Sequence, residues 1–274
     1  MTTLSRRVLD AVPHPLRAAV QRLLGELVRV QIFDRAMTLA AQAFTSLFPL
    51  VIMIGALSGS AARDRLTDLI RLPADSTRLV QDALGGSRSG AFGVLGSLIV
   101  VLSATGLARA LARAYRATWS VAGRRAGPAD TGWQIGTVLL VVLFLIGVRL
   151  LVHLTDLLPA AGVAGVVVTL LADCGLAVLL PRVLLGPVVP RDRLLLGGLL
   201  FGLIMLGVRA AGAIYLPRAL QSSTERYGTI GLAFTYIGWL YVLSFCLLLS
   251  AILAVVLADR LPRWFVRSDP AAGP

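Results

Sequence analysis

The sequence predicts an all-α integral membrane protein, a bundle of six transmembrane helices. Three observations carry that expectation. Six long apolar stretches run through a chain of only 274 residues. Hydrophobic residues make up 57% of it and charged residues 15%, against the ~25% charged of an ordinary soluble domain. The stretches between the apolar ones are too short to fold as a second domain. About 20 apolar residues cross the ~30 Å hydrocarbon layer as a helix, and in lipid only helices or closed barrels satisfy their own backbone. The expected layout is a basic tail over residues 1–35, a transmembrane domain over 36–258 and a short tail over 259–274.

The tail comes first. It holds six arginines and lacks the apolar run of a cleavable signal. Ser5-Arg6-Arg7-Val8-Leu9 faintly resembles a twin-arginine signal, but Asp10 and Pro13 stand where the apolar core should follow. Leu16, Val20, Leu23, Leu24, Leu27 and Val28 recur at helical spacing, with Arg17, Arg22 and Arg29 off that stripe. A basic amphipathic helix of this kind lies in the membrane interface or packs against the inner ends of the spans. The interface is the preferred expectation.

The spans are expected near 36–59, 91–108, 133–152, 160–180, 194–216 and 229–258. Pro49 interrupts the first, frees the carbonyl of Thr45 and is a candidate hinge. Thr45 and Ser46 are the hydroxyls nearest that break, and Gln42 adds a polar group to the region. The first loop, residues 60–90, predicts a short extracytoplasmic helical pair broken at Pro73. Pro181, Pro187 and Pro190 predict a rigid turn in the fourth loop. Gly198 and Gly202 in the fifth span form a GxxxG, which permits close helix approach. The sixth span is long enough that it must tilt or project. Trp239 lies too deep within it for an interfacial anchor and is expected in the bundle or on a cavity wall. Tyr241 is a candidate interfacial anchor.

Charge sets the expected orientation. The net charge is +12 and every basic residue is Arg. The N-terminal tail, the second and fourth loops and the C-terminal tail hold 17 of them, and the other three loops hold 7. Positive residues stay on the cytoplasmic side, so both termini are expected inside. Membrane orientation and anionic lipid account for this charge, and no nucleic-acid partner is expected. Arg109, Arg113 and Arg116 follow the second span on one helical face and are placed to meet anionic headgroups.

Three ionisable residues lie inside apolar spans: Arg149, Asp173 and Arg209. Such residues are costly in lipid and deserve a functional hypothesis. In one reading they share a polar cavity between spans three, four and five. There, with Gln42 nearby, the arginines would hold an anionic group such as a lipid phosphate. In the other, Arg149 snorkels to the outer interface and Asp173 pairs with Arg209 as structure.

Catalytic chemistry has little to stand on. His14 and His153 fall in expected opposite compartments, and the cytoplasmic loops carry no acidic cluster. Cys174 and Cys246 both sit in apolar spans, without a CxxC or a Cys/His cluster. The chain lacks lysine, so no GxxxxGK[ST] loop occurs. The expectation is a non-enzyme without metal or cofactor.

Three segments resemble a known family. Thr38-Leu-Ala-Ala-Gln-Ala-Phe-Thr-Ser-Leu-Phe-Pro49 resembles the first span of the YihY/BrkB family of bacterial inner-membrane proteins. Ala91-Phe-Gly-Val-Leu-Gly96, with Leu111-Ala-Arg-Ala-Tyr-Arg-Ala-Thr-Trp119, resembles its second span and exit helix. Tyr227-Gly-Thr-Ile-Gly-Leu-Ala-Phe-Thr-Tyr-Ile-Gly-Trp-Leu-Tyr241 resembles the entry to its sixth span. The likeness runs from about residue 20 to 260. This chain departs from the pattern at Ala41 and Gln42, where aromatics are usual, and at Ile252, where a Glu is common. The resemblance implies a six-span inner-membrane protein of the cell envelope. Members have been called virulence factors and, historically, ribonuclease BN. A transport role, of lipids among other candidates, has been suggested for them. The expected function is a transporter or flippase-like protein for an anionic envelope component. The alternative is a scaffold for envelope assembly, and a membrane-bound nuclease or hydrolase is disfavoured by the missing catalytic cluster.

Overall fold

The computed structural model describes residues 14–57, 90–121 and 161–258, with scattered positions between 136 and 152. Among the described residues the regular structure is helical throughout. The helices are α1 (His14–Val30), α2 (Ile32–Leu57), α3 (Gly90–Thr118) and α4 (Ala161–Leu185), then α5 (Arg191–Gly228) and α6 (Ile230–Ala258). A 3₁₀ turn, Gly186–Val188, joins α4 to α5. The expected helical pair of the first loop and both chain ends lie outside the described residues. Part of the expected third span does too, and its described positions are helical.

Among the described residues three helices, α4, α5 and α6, are long and apolar enough to cross a membrane. They answer to the last three expected spans, with two corrections. The fourth loop is shorter than expected, because α4 carries on through Pro181 and takes Arg182 into its last turn. The fifth loop is not a loop, because α5 continues through Pro217 to Gly228. The physical reason is the same in both cases. Proline deletes one backbone bond, and the rest of the ladder survives, held by packing at the buried Pro181 and by local bonding beyond the exposed Pro217. Pro181 is among the fully buried side chains. Beyond Pro217 the helix is polar and exposed. Gln221 Nε2 donates to Glu225 Oε1 at 3.1 Å, and Thr224 Oγ1 to the Leu220 carbonyl at 2.7 Å.

Two sharp bends organise the chain. Gln31, at φ 53°, is a one-residue elbow between α1 and α2. Its N–H donates to the Val28 carbonyl and its own carbonyl accepts from Arg35 N–H. Gly228, at φ 59° and ψ −139°, reverses the chain between α5 and α6. That conformation is essentially confined to glycine. Across the hairpin Thr235 Oγ1 lies 2.9 Å from Ser223 Oγ, and a Cβ on Gly231 would collide with the Ser223 carbonyl. Lower down, the Trp239 ring fills the space beside Gly212, and Gly197 faces Ala254. Trp239 therefore packs within the bundle.

α6 is the central helix. Its Leu248, Ile252 and Val256 join Ile32, Ala36 and Leu39 of α2 and Ala110 and Ala114 of α3 in the largest cluster. Ala251 meets Tyr115, Leu180 and Leu184 in a second, and Cys246 meets Ala177, Phe201 and Met205 in a third. In the span windows 39% of α6 is buried but only 17% of α4, so α4 is peripheral. Its bare Val163, Val166, Val167 and Leu171 form an apolar surface that lipid solvates and water would not.

The amphipathic stripe of α1 divides between its two expected surroundings. Leu23 and Leu27 pack on the largest cluster. Val20, Leu24 and Val28 stay exposed.

Candidate functional site

Two ionisable side chains meet between the apolar helices α4 and α5. Arg209 Nη2 donates to Asp173 Oδ1 at 2.7 Å and reaches Oδ2 at 2.9 Å, while Nε donates to Oδ2 at 3.1 Å. This is a forked guanidinium–carboxylate pair, the geometry that makes arginine stronger than lysine in such a role. On a ruler of 1.5 Å per residue the two backbones differ in depth by about 10 Å. The side chains close the gap. Side chains lean toward the N-terminus of their helix, and α4 and α5 run antiparallel, so each residue leans toward the other.

The pair is unevenly covered. The Asp173 side chain is 11% exposed and that of Arg209 49%. Its bonds use Nε and Nη2 of the guanidinium, so the Nη1 edge lies outside the fork. Close packing of the two helices just below holds the geometry. A Cβ on Gly198 would stand 2.6 Å from Val178 Cγ2 and 2.8 Å from the Cys174 carbonyl. One on Gly202 would stand 2.5 Å from Cys174 Sγ. The GxxxG therefore serves α4–α5 contact within the bundle. Cys174 and Cys246 are free thiols.

The other expected site residues fall elsewhere. Gln42 lies at the α2–α3 interface, its amide directly over Gly106. Arg149 lies outside the described residues. α2 carries its helix across Pro49. The Thr45 and Ser46 hydroxyls donate to the Gln42 carbonyl at 3.1 and 2.7 Å rather than to the carbonyl that proline frees, and Ser46 is also within 3.0 Å of the Ser103 carbonyl. Arg109 and Arg113 are exposed and Arg116 half-buried on the last turns of α3. Tyr241 is half-buried, stacks on Phe245 and packs against the largest cluster. Ile252 is 1% exposed in that same cluster.

Two further arrangements carry no signature in the sequence. Arg29 donates to the Ala117 and Thr118 carbonyls, and Arg35 to the Arg113 carbonyl. The Ala117 and Thr118 carbonyls belong to the last turn of α3 and lack i+4 partners within the helix, and the Arg113 carbonyl lies one turn earlier. Cations are favoured there, so tail arginines bolt the α1–α2 elbow to the end of α3. The Tyr115 hydroxyl on α3 and Trp119 Nε1, just past its end, are buried without a hydrogen-bond partner among the described residues. Burial pushes ionisation of the Tyr115 hydroxyl well up from its ordinary range.

Among the described residues no group of His, Cys, Asp or Glu stands where it would hold a metal ion. No curated protein and no solved structure matches the chain. The family model described as virulence factor BrkB matches residues 23–270. That match starts within α1 and runs past the end of α6, so it takes in the ion pair and the helices that hold it. The chain belongs to the BrkB virulence factor family.

Proposed function

We propose that this protein is a six-span protein of the bacterial inner membrane, with both termini cytoplasmic, that moves an anionic envelope component, a lipid, across or within the bilayer. It does so as a non-enzyme, without a cofactor. The observation that carries the reading is the Asp173–Arg209 pair, whose guanidinium is half-exposed in the stretch 194–217 of α5, which holds no other charged residue. A charge so placed is costly unless it has a task. A carboxylate fork holds the guanidinium steady while one edge stays outside the fork, an arrangement suited to a passing phosphate. The exposed Val20, Leu24 and Val28 of α1 fit a helix lying in the interface. The arginine distribution fits inward-facing tails.

A scaffold is the second reading, favoured by how fully the carboxylate is satisfied by its three bonds. Reconstitution separates the two. Vesicles of phosphatidylcholine with fluorescent phosphatidylglycerol report lipid crossing when an impermeant reductant bleaches the outer leaflet. We expect the wild-type protein to speed crossing and Arg209→Ala to abolish it. The double variant Asp173→Leu/Arg209→Met should fold, by thermal melt, yet fail to move lipid. Equal crossing by wild type and empty vesicles would leave the scaffold reading in place.

A further inference from the structure

The α4–α5 seam carries a second feature, toward the turn that joins the two helices. A groove of about 550 Å³ runs along it, lined by Val178 and Leu179 of α4 and Leu195 and Leu199 of α5, and it ends at Arg182 and Arg191. That volume falls within the ~300–1,000 Å³ of ordinary ligand sites. The stripes are helical. Residues 175, 178, 179 and 182 share one face of α4, and 191, 195 and 199 share one face of α5. Leu195 is 62% exposed and Leu199 52%, so the groove opens sideways, away from the bundle. In a membrane that direction is lipid.

The geometry points to a binding site for one anionic phospholipid, its acyl chain along the Val178–Leu199 walls and its phosphate between Arg182 and Arg191. The chemistry is divided as such a molecule requires. The body of the groove is apolar and would reject a free hydrated anion. Its mouth offers two guanidinium groups from different helices, which match phosphate geometry. The arginines stand at the turn between two spans, where headgroups lie. Anionic lipid is attracted to the cytoplasmic surface by just such clusters. Asp192 is exposed beside Arg191 but does not line the groove, so the mouth keeps its positive character. This site rests on the membrane-embedded reading above. It does not need transport, and it uses neither residue of the ion pair.

Lipid retention by the intact protein tests it, read by native mass spectrometry in detergent after titration with phosphatidylglycerol or phosphatidylcholine. The wild-type protein should hold phosphatidylglycerol in preference. Arg182→Gln/Arg191→Gln should weaken that hold by about tenfold or more, for two lost charged contacts, with its thermal melt unchanged. Leu195→Trp, at an exposed wall position, should weaken retention of both lipids by filling the groove. Inorganic phosphate in excess should displace neither. The proposal is overturned if the two lipids bind alike, if the arginine variant binds as wild type does, or if phosphate competes. No crossing assay enters, so failure of the transport reading and failure of this site give different results.

Discussion

Tyr115 and Trp119 place two polar groups in apolar packing with nothing to bond among the described residues. An unsatisfied buried group costs about 1–3 kcal/mol. Tyr115→Phe keeps the ring and removes the hydroxyl, so a gain of about 1 kcal/mol is expected in a denaturant titration in detergent. The pH dependence has a definite sign. The unfolded tyrosine ionises near its ordinary 10.0, and the buried one ionises higher. Its contribution to stability is whole below about pH 10 and is lost as pH climbs from there toward the folded value, by up to ~1.4 kcal/mol per pH unit. Comparing wild type with Tyr115→Phe isolates that slope, and parallel curves would refute it. None of this was legible in the sequence, because a tyrosine facing helices and one facing solvent look alike in it. Asp173 and Arg209 were legible as candidates, being charges in apolar runs. Their bond was legible as one of the two readings, and the forked geometry bears it out. A depth ruler that counts backbones and ignores the lean of side chains nevertheless sets them about 10 Å apart. Gln42 looked like a partner for them only because it too is polar in an apolar span.

At the scale of elements, α4 and α5 depend on glycine where their backbones nearly touch. Gly198→Leu would press side-chain atoms into the Cys174 carbonyl and Val178. Backbone cannot yield there, and a loss of at least about 1–3 kcal/mol is expected. Gly25→Ala in α1 is the contrast. Nothing stands within 4 Å of the added methyl, and alanine favours a helix by up to ~1 kcal/mol. Opposite shifts in melting temperature for the two variants would confirm that the α4–α5 approach, and not glycine as such, is what matters. The GxxxG spacing made this contact readable in advance. The ends of α4 and α5 were misread because proline and polar residues signal a loop, yet both suit a helix whose neighbours, or water, satisfy it. Tail arginines read only as positive charge, since nothing in their spacing says which carbonyls they will meet.

For the whole molecule, the open matter is how the apolar helices thread the bilayer. The proposed topology, argued from the arginine distribution, has two inward tails and an outward first loop. Reporter fusions that fluoresce only in the cytoplasm should be bright at either terminus, and dark when inserted near residue 75. A bright insertion there would invert or break the six-span scheme. All-helical architecture was readable from hydropathy alone, because lipid leaves the backbone few options. Which helix sits at the centre was not. α4 and α6 are both strongly apolar, and only packing distinguishes the one that touches lipid from the one that touches every neighbour.

The uninterrupted run of α5 to Gly228 has a mechanical consequence. At 1.5 Å per residue its 38 residues reach about 57 Å, well beyond the ~40–45 Å of a bilayer with its headgroups. The far end, near Glu225 and Arg226, would therefore project beyond the bilayer together with the start of α6, to which Ser223 ties it. A lean of about 20°, ordinary for a membrane helix, sweeps the tip sideways by about 20 Å. Because α5 is packed against α4 near its base and against α6 along its length, that lean would carry all three helices with it.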